Sequence, residues 1–107
     1  MTVANGLTMG ELRDTWSEAQ FQNAVLNVAR AGGWGPIYHT KISMMSAAGF
    51  PDLVLVRGTR VVFAELKSAK GKVSAAQTEW HEALAGTAAE AFIWRAADWD
   101  EIEEVLA

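Results

Sequence analysis

The chain has 107 residues, 50% of them apolar, with a net charge of −4 and no cysteine. This length fits one domain with a single core, residues 1–107, and the lack of cysteine excludes a disulfide framework or a thiolate metal site. Because no apolar run approaches the ~18 residues of a membrane helix and no signal peptide is recognisable, we expect a cytoplasmic location and no membrane partner.

The first half of the chain predicts helices followed by strands. Residues 1–14 are weakly patterned and form an N-terminal arm or a short helix. A helix capped by Thr15 or Ser17 follows and ends at Gly32-Gly33. Three strands are predicted next, at about 34–40, 52–56 and 60–67, the last two joined by a tight turn at Gly58-Thr59.

The second half predicts one more strand between two helices. Ser74 caps a helix that runs to about Ala85, and the fourth strand covers about 90–95. Asp98 caps a short acidic helix, whose buried face is Trp99, Ile102, Val105 and Leu106. The order helix, three strands, helix, strand, helix predicts an α/β fold with a mixed central sheet flanked by helices.

Charge is unevenly distributed along the chain. From Lys41 to Lys72 there are six basic residues and two acidic ones, whereas from Val73 onward eight acidic residues accompany one basic residue, Arg95. A basic middle suits contact with nucleic-acid phosphates in spite of the negative net charge. The alternative is that the acidic residues simply form solvated helix faces.

Two neighbouring strands each deliver an acidic side chain. Asp52 begins one strand, while Glu65 and Lys67 lie on the next and must project from the same side, because strand side chains alternate between faces. A carboxylate pair beside a lysine suits a hard divalent cation with a positioned water, the chemistry of metal-dependent phosphodiester cleavage. Glu-x-Lys alone is common and could be an ordinary exposed pair, but Pro51-Asp52 upstream favours the functional interpretation.

The segments Pro51-Asp52 and Glu65-Leu66-Lys67 resemble the signature of the PD-(D/E)XK nuclease superfamily. The finer resemblance, from Glu18 to about Arg95, is to the VRR-NUC family of virus-type replication-repair nucleases. Its further matching elements are Ser17-Glu18, Gly32-Gly33-Trp34, Tyr38-His39, Gly49 before Pro51-Asp52, and Lys72-Val73-Ser74 with Gln77, Trp80, Leu84 and Gly86.

The resemblance implies a restriction-endonuclease-like αβββαβ core and a Mg²⁺-dependent DNA endonuclease in which Mn²⁺ can substitute. Small members of the family, often from phages, resemble Holliday-junction resolvases, so branched DNA is the implied partner and host cytoplasm the implied location. Resolving a junction takes paired cuts, which predicts a homodimer with a closed twofold axis. The candidate interface is the apolar set in the N-terminal arm, Val3, Leu7, Met9 and Leu12.

Chemistry and the resemblance together predict the site residues. Metal ligands would be Asp52, Glu65, the Leu66 backbone carbonyl and Glu18, the last directly or through water. Lys67 would orient or help deprotonate the attacking water, and Gln77 would border the active site. Lys41, Lys70, Lys72 and His39 are the predicted DNA contacts.

Several of these residues also have structural interpretations. Glu18 could serve the helix dipole, Gln77 could contact solvent, His39 could make a structural hydrogen bond, and the lysines could be merely solvated. His81 is expected at the surface or the core edge.

Three functional alternatives stay open at this point. A nuclease of the same fold could act on flaps, single strands or duplex DNA. The domain could instead be a non-catalytic DNA-binding module, although all the expected site residues are present. Hydrolysis of a small phosphoester lacks the Gly-rich phosphate loop that it would call for.

Overall fold

The structure, a computed structural model, describes residues 6–40 and 47–107. Its helices are α1 (Met9–Asp14), α2 (Glu18–Ala31), α3 (Ala75–Ala85) and α4 (Trp99–Leu106), and its strands are β1 (Ile37–His39), β2 (Leu53–Arg57), β3 (Arg60–Leu66) and β4 (Glu90–Trp94). A 3₁₀ turn, Ala96–Asp98, precedes α4. Among residues 6–40 and 47–107, no helix is long and apolar enough to cross a membrane.

The four strands form one mixed sheet in the order β1-β2-β3-β4. The first three strands pair antiparallel, and β4 pairs parallel to β3. The parallel pair follows from the connection, since α3 crosses over between β3 and β4 where a tight turn could not. From α2 onward the elements follow the predicted αβββαβ order, so the predicted α/β class with a mixed sheet flanked by helices is confirmed.

The hydrophobic core lies between one sheet face and the helices α2 and α4. Leu55 and Val62 are paired across the sheet and fully buried on this face. The remaining buried apolar residues are Phe21, Val25, Leu26, Ala29, Trp34, Leu53, Ala64, Leu66, Trp94, Ala96, Ile102 and Leu106. Because these side chains come from α2, β2, β3, β4 and α4, the core depends on contacts between segments that are distant in sequence.

The opposite sheet face carries the alternate residues of the strands. Val54 pairs with Phe63 on this face, and Glu65 follows two residues later. The ring of Phe50 lies 6.1 Å from Phe63 and 5.0 Å from Trp80 of α3, both edge to face. This contact places α3 on the side of the sheet that bears Glu65.

The N-terminal segment contains a helix that packs on the C-terminal part of the domain. Thr8 caps α1 with a reciprocal hydrogen-bond pair to Glu11, and the guanidinium of Arg13 lies 5.3 Å from the centre of the Trp99 ring. The short helix predicted as one option for residues 1–14 is therefore present. Val3, one member of the candidate interface, lies outside the described residues.

Two sequence predictions are wrong in detail. The first strand was expected from residue 34 but begins at Ile37, because the Trp34 N–H still bonds back to the Ala29 carbonyl at the end of α2 (3.0 Å). Asp98 precedes α4 without capping it through its side chain. Its Oδ2 accepts from the Arg95 N–H instead (2.8 Å) and closes the 3₁₀ turn.

Candidate active site

The loop before β2 is held so that Asp52 enters the sheet in a fixed position. Gly49 has a positive φ of 81° and passes so close to α3 that an added Cβ would lie 2.3 Å from the Ala76 carbonyl carbon. On the other side, the Thr40 hydroxyl donates to the Pro51 carbonyl (2.6 Å), and the Thr40 N–H donates to the Asp52 carbonyl (2.8 Å). The backbone around Asp52 is thus fixed from both flanks.

The Asp52 side chain bridges the ends of two strands. Its Oδ2 accepts a hydrogen bond from the Leu66 N–H at 2.8 Å, just before β2 begins and where β3 ends. This bond uses one oxygen of the carboxylate and holds the side chain beside the end of β3, which carries Glu65.

Glu65 is the one buried charged side chain in the described part of the chain, with 4% of its surface exposed. Its Oε2 is buried without a hydrogen-bond partner among the described residues. A buried polar atom without a partner lowers stability, so its presence in a folded protein calls for a functional explanation. An acceptor oxygen held without a donor suggests a site shaped for a ligand.

The neighbouring Asp52 acts on the protonation of Glu65. Burial first, then the hydrogen bond with Asp52 and the Asp52 charge, raise the pKa of Glu65 from 4.5 to about 8. At neutral pH the pair therefore holds a proton while no cation is bound. A divalent cation would displace that proton and stabilise both carboxylates.

Two further predicted site residues act on Glu65 electrostatically. The Lys67 ammonium lowers the pKa of Glu65, whereas the Glu18 charge raises it. Glu18 contributes least of the named groups, and its side chain is exposed at the start of α2. Asp52, Glu65 and Lys67 thus lie together where β3 ends, with Asp52 bonded to the Leu66 N–H.

The donor set at this site is suited to a hard cation. Asp52 and Glu65 supply carboxylate oxygens, and the Leu66 peptide lies between the predicted ligand Glu65 and Lys67. Within residues 6–40 and 47–107, however, no three His, Asp or Glu side chains stand in a metal-holding geometry. A cation here would rest on the two carboxylates, with backbone and water oxygens completing its shell.

Gln77 takes part in the N-cap of α3. Its Oε1 accepts from the Ser74 N–H (2.9 Å), while the Ser74 hydroxyl accepts from the Gln77 N–H (3.1 Å). The backbone nitrogen of Gln77 would lie 2.6 Å from a Cβ added to Gly49. The first turn of α3 therefore contacts the loop that leads to Asp52. Any contact of the side chain with the site would come from its NH₂ group.

Two of the basic residues in the middle of the chain, Arg57 and Arg60, bind other parts of the protein. Arg57 donates to the Gly32 and Ala107 carbonyls (2.8 and 2.9 Å), and Arg60 forms a bidentate pair with Glu90 (2.7 and 2.8 Å). Both guanidinium groups also stack on the Trp34 ring, so they serve the fold.

Lys70 and Lys72 are exposed on the loop after β3, where they can meet phosphates. Lys41 lies outside the described residues. The basic middle of the chain therefore provides fewer candidate phosphate contacts than its charge count indicates.

The two histidines are half-buried. His39 pairs with Leu53, on the sheet face covered by α2, and its Nδ1 lies 3.5 Å from the Gln22 amide nitrogen. This is the structural hydrogen bond considered from the sequence, and a DNA contact of His39 stays a prediction. His81 lies on α3, as expected at the core edge.

Sequence reasoning missed Thr40 and Gly49 as residues that position Asp52. The signal for Gly49 was present in its place three residues before Asp52, where a tight approach calls for glycine. Thr40 gave no signal, because its partners lie eleven and twelve residues away and are brought close only by the β1–β2 pairing.

The sequence matches no family model and no curated protein. A solved structure described as "VRR_NUC domain protein" superposes on it with a TM-score of 0.63 and 23% sequence identity, covering 85% of this chain and 85% of the other. At this identity the likeness shows a shared fold: the chain has the same α/β architecture as that domain, a mixed four-stranded sheet flanked by helices.

Proposed function

We propose that this protein is a Mg²⁺-dependent endonuclease that hydrolyses phosphodiester bonds in DNA, with branched DNA such as four-way junctions as its substrate. The observation that carries the proposal is the buried Glu65 carboxyl group beside Asp52, whose Oε2 has no hydrogen-bond partner among the described residues. The fold shared with a VRR_NUC domain protein supports the nuclease assignment.

The predicted metal ligands are Asp52, Glu65 and the Leu66 carbonyl, with Glu18 acting directly or through water. When bound, Mg²⁺ would polarise a phosphoryl oxygen and lower the pKa of a coordinated water. Mn²⁺ should substitute, since it also prefers oxygen ligands.

Lys67 supplies the positive charge of the site. It lies one residue beyond β3 and acts on the Glu65 carboxylate, so its ammonium can reach the same space. There it would orient the attacking water and stabilise the charge that develops on the phosphate. Gln77, Lys70, Lys72 and His39 are proposed to line the path of the DNA.

The branched-DNA assignment rests on the residue pattern shared with small VRR-NUC nucleases. One domain carries one carboxylate site, and symmetric resolution of a junction takes two. A homodimer would present the two sites to two strands, and the half-buried Leu7 and Leu12 with the exposed Met9 remain its candidate interface.

The test is digestion of a labelled four-way junction and a matched linear duplex, with Mg²⁺ or with EDTA. Glu65→Gln removes the buried carboxylate with little change of volume, and Glu101→Gln is a matched control on the exposed face of α4. We expect Mg²⁺-dependent junction cleavage by the wild type and the control, and a loss of about 100-fold or more in Glu65→Gln.

Retained cleavage in Glu65→Gln would remove Glu65 from the active site, and no cleavage by the wild type with any divalent cation would contradict the nuclease proposal. Faster cleavage of flaps, single strands or duplex in a substrate panel would replace the junction assignment. DNA binding without cleavage would favour a binding module.

A further inference from the structure

Arg95 is the only arginine or lysine after Val73, and its side chain reaches back to the loop that follows Lys67. The Arg95 Nη1 donates to the Ser68 carbonyl at 2.6 Å and lies 3.5 Å from the Ala69 carbonyl. The contact spans 27 positions of sequence. It joins the segment after β4 to the segment after β3.

The base of this side chain is itself held in place. The Arg95 N–H donates to Asp98 Oδ2 at 2.8 Å, and the Asp98 N–H donates to the Arg95 carbonyl at 2.9 Å. One residue earlier, the Trp94 carbonyl accepts from the Lys67 N–H at 2.9 Å. Arg95 therefore extends from a backbone that is fixed against the end of β3.

The segment that Arg95 contacts is a tight turn beside the Lys67 side chain. The Gly71 N–H donates to the Ser68 carbonyl at 3.1 Å. A Cβ at Gly71 would lie 3.0 Å from the Ser68 hydroxyl and 3.6 Å from Lys67 Cδ. The turn thus returns the backbone to the aliphatic part of Lys67, and Lys70 and Lys72 extend from it into solvent.

We propose that Arg95 is a positioning residue that holds the turn 68–71, and through it orients Lys67 toward the reacting phosphate and presents Lys70 to the DNA. This inference rests on the proposed nuclease function. Arg95 touches neither the carboxylates nor, on this assignment, the substrate.

The chemistry of the contact favours arginine over other residues. A guanidinium carries five N–H donors in a rigid plane, so it can serve two successive carbonyls from one fixed position. The turn is half-exposed, and without the guanidinium the Ser68 carbonyl would keep the Gly71 N–H and accept from water in place of Arg95. Water would not hold the turn against Lys67. Replacing Arg95 should therefore displace the turn and the Lys67 side chain more than it unfolds the domain.

The experiment compares Arg95→Gln, Arg95→Lys and the control Arg30→Gln, in which an exposed arginine in the last turn of α2 changes in the same way. Three quantities are measured for each protein: the single-turnover rate of junction cleavage with Mg²⁺, the salt dependence of DNA binding in Ca²⁺ without cleavage, and amide hydrogen exchange at residues 68–72. Circular dichroism melting shows whether each variant is folded.

Arg95→Gln should cleave about 10-fold more slowly or worse at saturating DNA, because a small displacement of a catalytic group is costly. Its binding slope against log salt should become shallower by about 0.9, the loss of one phosphate contact. Exchange at 68–72 should be faster. Arg95→Lys should recover part of the rate, since one donor and the charge remain, and Arg30→Gln should match the wild type.

An Arg95→Gln variant that is folded and cleaves at the wild-type rate with an unchanged salt slope would overturn the inference and leave the nuclease proposal intact. If Arg95→Gln unfolds, Arg95→Lys decides by the same three measurements. If the wild type does not cleave DNA, the proposed function fails by itself, and hydrogen exchange decides the rest: unchanged exchange in Arg95→Gln overturns the role of Arg95 in the turn, and faster exchange supports it.

Discussion

At the scale of single residues, the site is defined by one buried acid. Glu65 is placed by β3 on the sheet face opposite the main core, yet only 4% of its surface is exposed. Burial and the neighbouring Asp52 make its charged form unfavourable, which gives a carboxyl group that retains its proton at neutral pH and that a divalent cation would have to deprotonate.

The first residue-scale prediction concerns the pH dependence of stability. The pKa of Glu65 is about 8 in the folded protein against 4.5 ordinarily, so the folded state holds a proton that the unfolded state loses between these values. The contribution of Glu65 to the free energy of unfolding is therefore constant below pH 4.5, and the free energy falls as the pH rises toward 8. Urea titrations in EDTA at several pH values should show this fall.

The Glu65→Gln variant provides the comparison, since its amide does not ionise. Its free energy of unfolding should decline less over the same pH interval, and without metal it should equal or exceed the wild-type value at pH 8. Parallel curves for the two proteins would mean that Glu65 does not titrate as described.

The second residue-scale prediction separates rate from binding. Lys67→Ala should lower the cleavage rate by about 100-fold or more, because the ammonium acts on charge that develops in the transition state. DNA affinity should stay largely unchanged. The check is single-turnover kinetics together with equilibrium binding in Ca²⁺, and a rate loss explained wholly by weaker binding would reduce Lys67 to a phosphate contact.

At the scale of elements, the site depends on how a loop meets a helix. The loop that carries Gly49, Phe50 and Asp52 packs on the first turn of α3, and the Trp80 indole N–H donates to the Ala48 carbonyl at 3.1 Å. The distance between α3 and β2 is therefore set by backbone contact at Gly49, where no side chain fits.

The prediction at this scale is that Gly49→Ala destabilises the domain and impairs the site together. A Cβ would meet the Ala76 carbonyl carbon at 2.3 Å and oxygen at 2.5 Å, so α3 or the Asp52 loop must move. We expect the free energy of unfolding to fall by about 2–4 kcal/mol, because overpacking and a strained φ act together. Cleavage should also be slower.

Gly58→Ala is the matched control for this prediction. Gly58 also has a positive φ, 59°, but nothing lies within 4 Å of an added Cβ. It should lose only about 1–2 kcal/mol from backbone strain and keep its cleavage rate. Chemical denaturation of both variants is the measurement, and equal losses would show that contact with α3 is unimportant.

At the scale of the whole molecule, the described residues form one four-stranded sheet with one pair of neighbouring carboxyl groups, Asp52 and Glu65, at the end of β3. The structure buries Trp16 partly against Phe21 and Trp99 and packs α1 onto the C-terminal part of the domain. The apolar surface of this segment that is open to an interface consists of Met9, 37% exposed, and the half-buried Leu7 and Leu12.

The molecular-scale prediction is that wild-type and Glu65→Ala subunits, once mixed and exchanged, nick a four-way junction in one strand. Each mixed dimer has one working site, whereas wild-type dimers give paired cuts. Denaturing and native gels of a doubly labelled junction distinguish the products. Light scattering that shows a strict monomer, both free and bound to DNA, would contradict the dimer.

The sequence by itself determined the element order and the identity of the carboxylate pair. Capping residues such as Ser17 and Ser74, the stop at Gly32-Gly33 and the turn at Gly58-Thr59 are local signals, and each element they predict is present. The alternation of side chains along β3 likewise placed Glu65 and Lys67 on one side, because it depends only on strand geometry.

Only the tertiary structure decided how these residues are used. Thr40, Arg57 and Arg95 take their partners from segments distant in sequence, and the burial of Glu65 depends on what packs over its strand. Charge counts could not show that Arg57 and Arg60 stack on Trp34 while Lys70 and Lys72 face solvent. Such contacts form between distant segments when the core closes, so no local pattern encodes them.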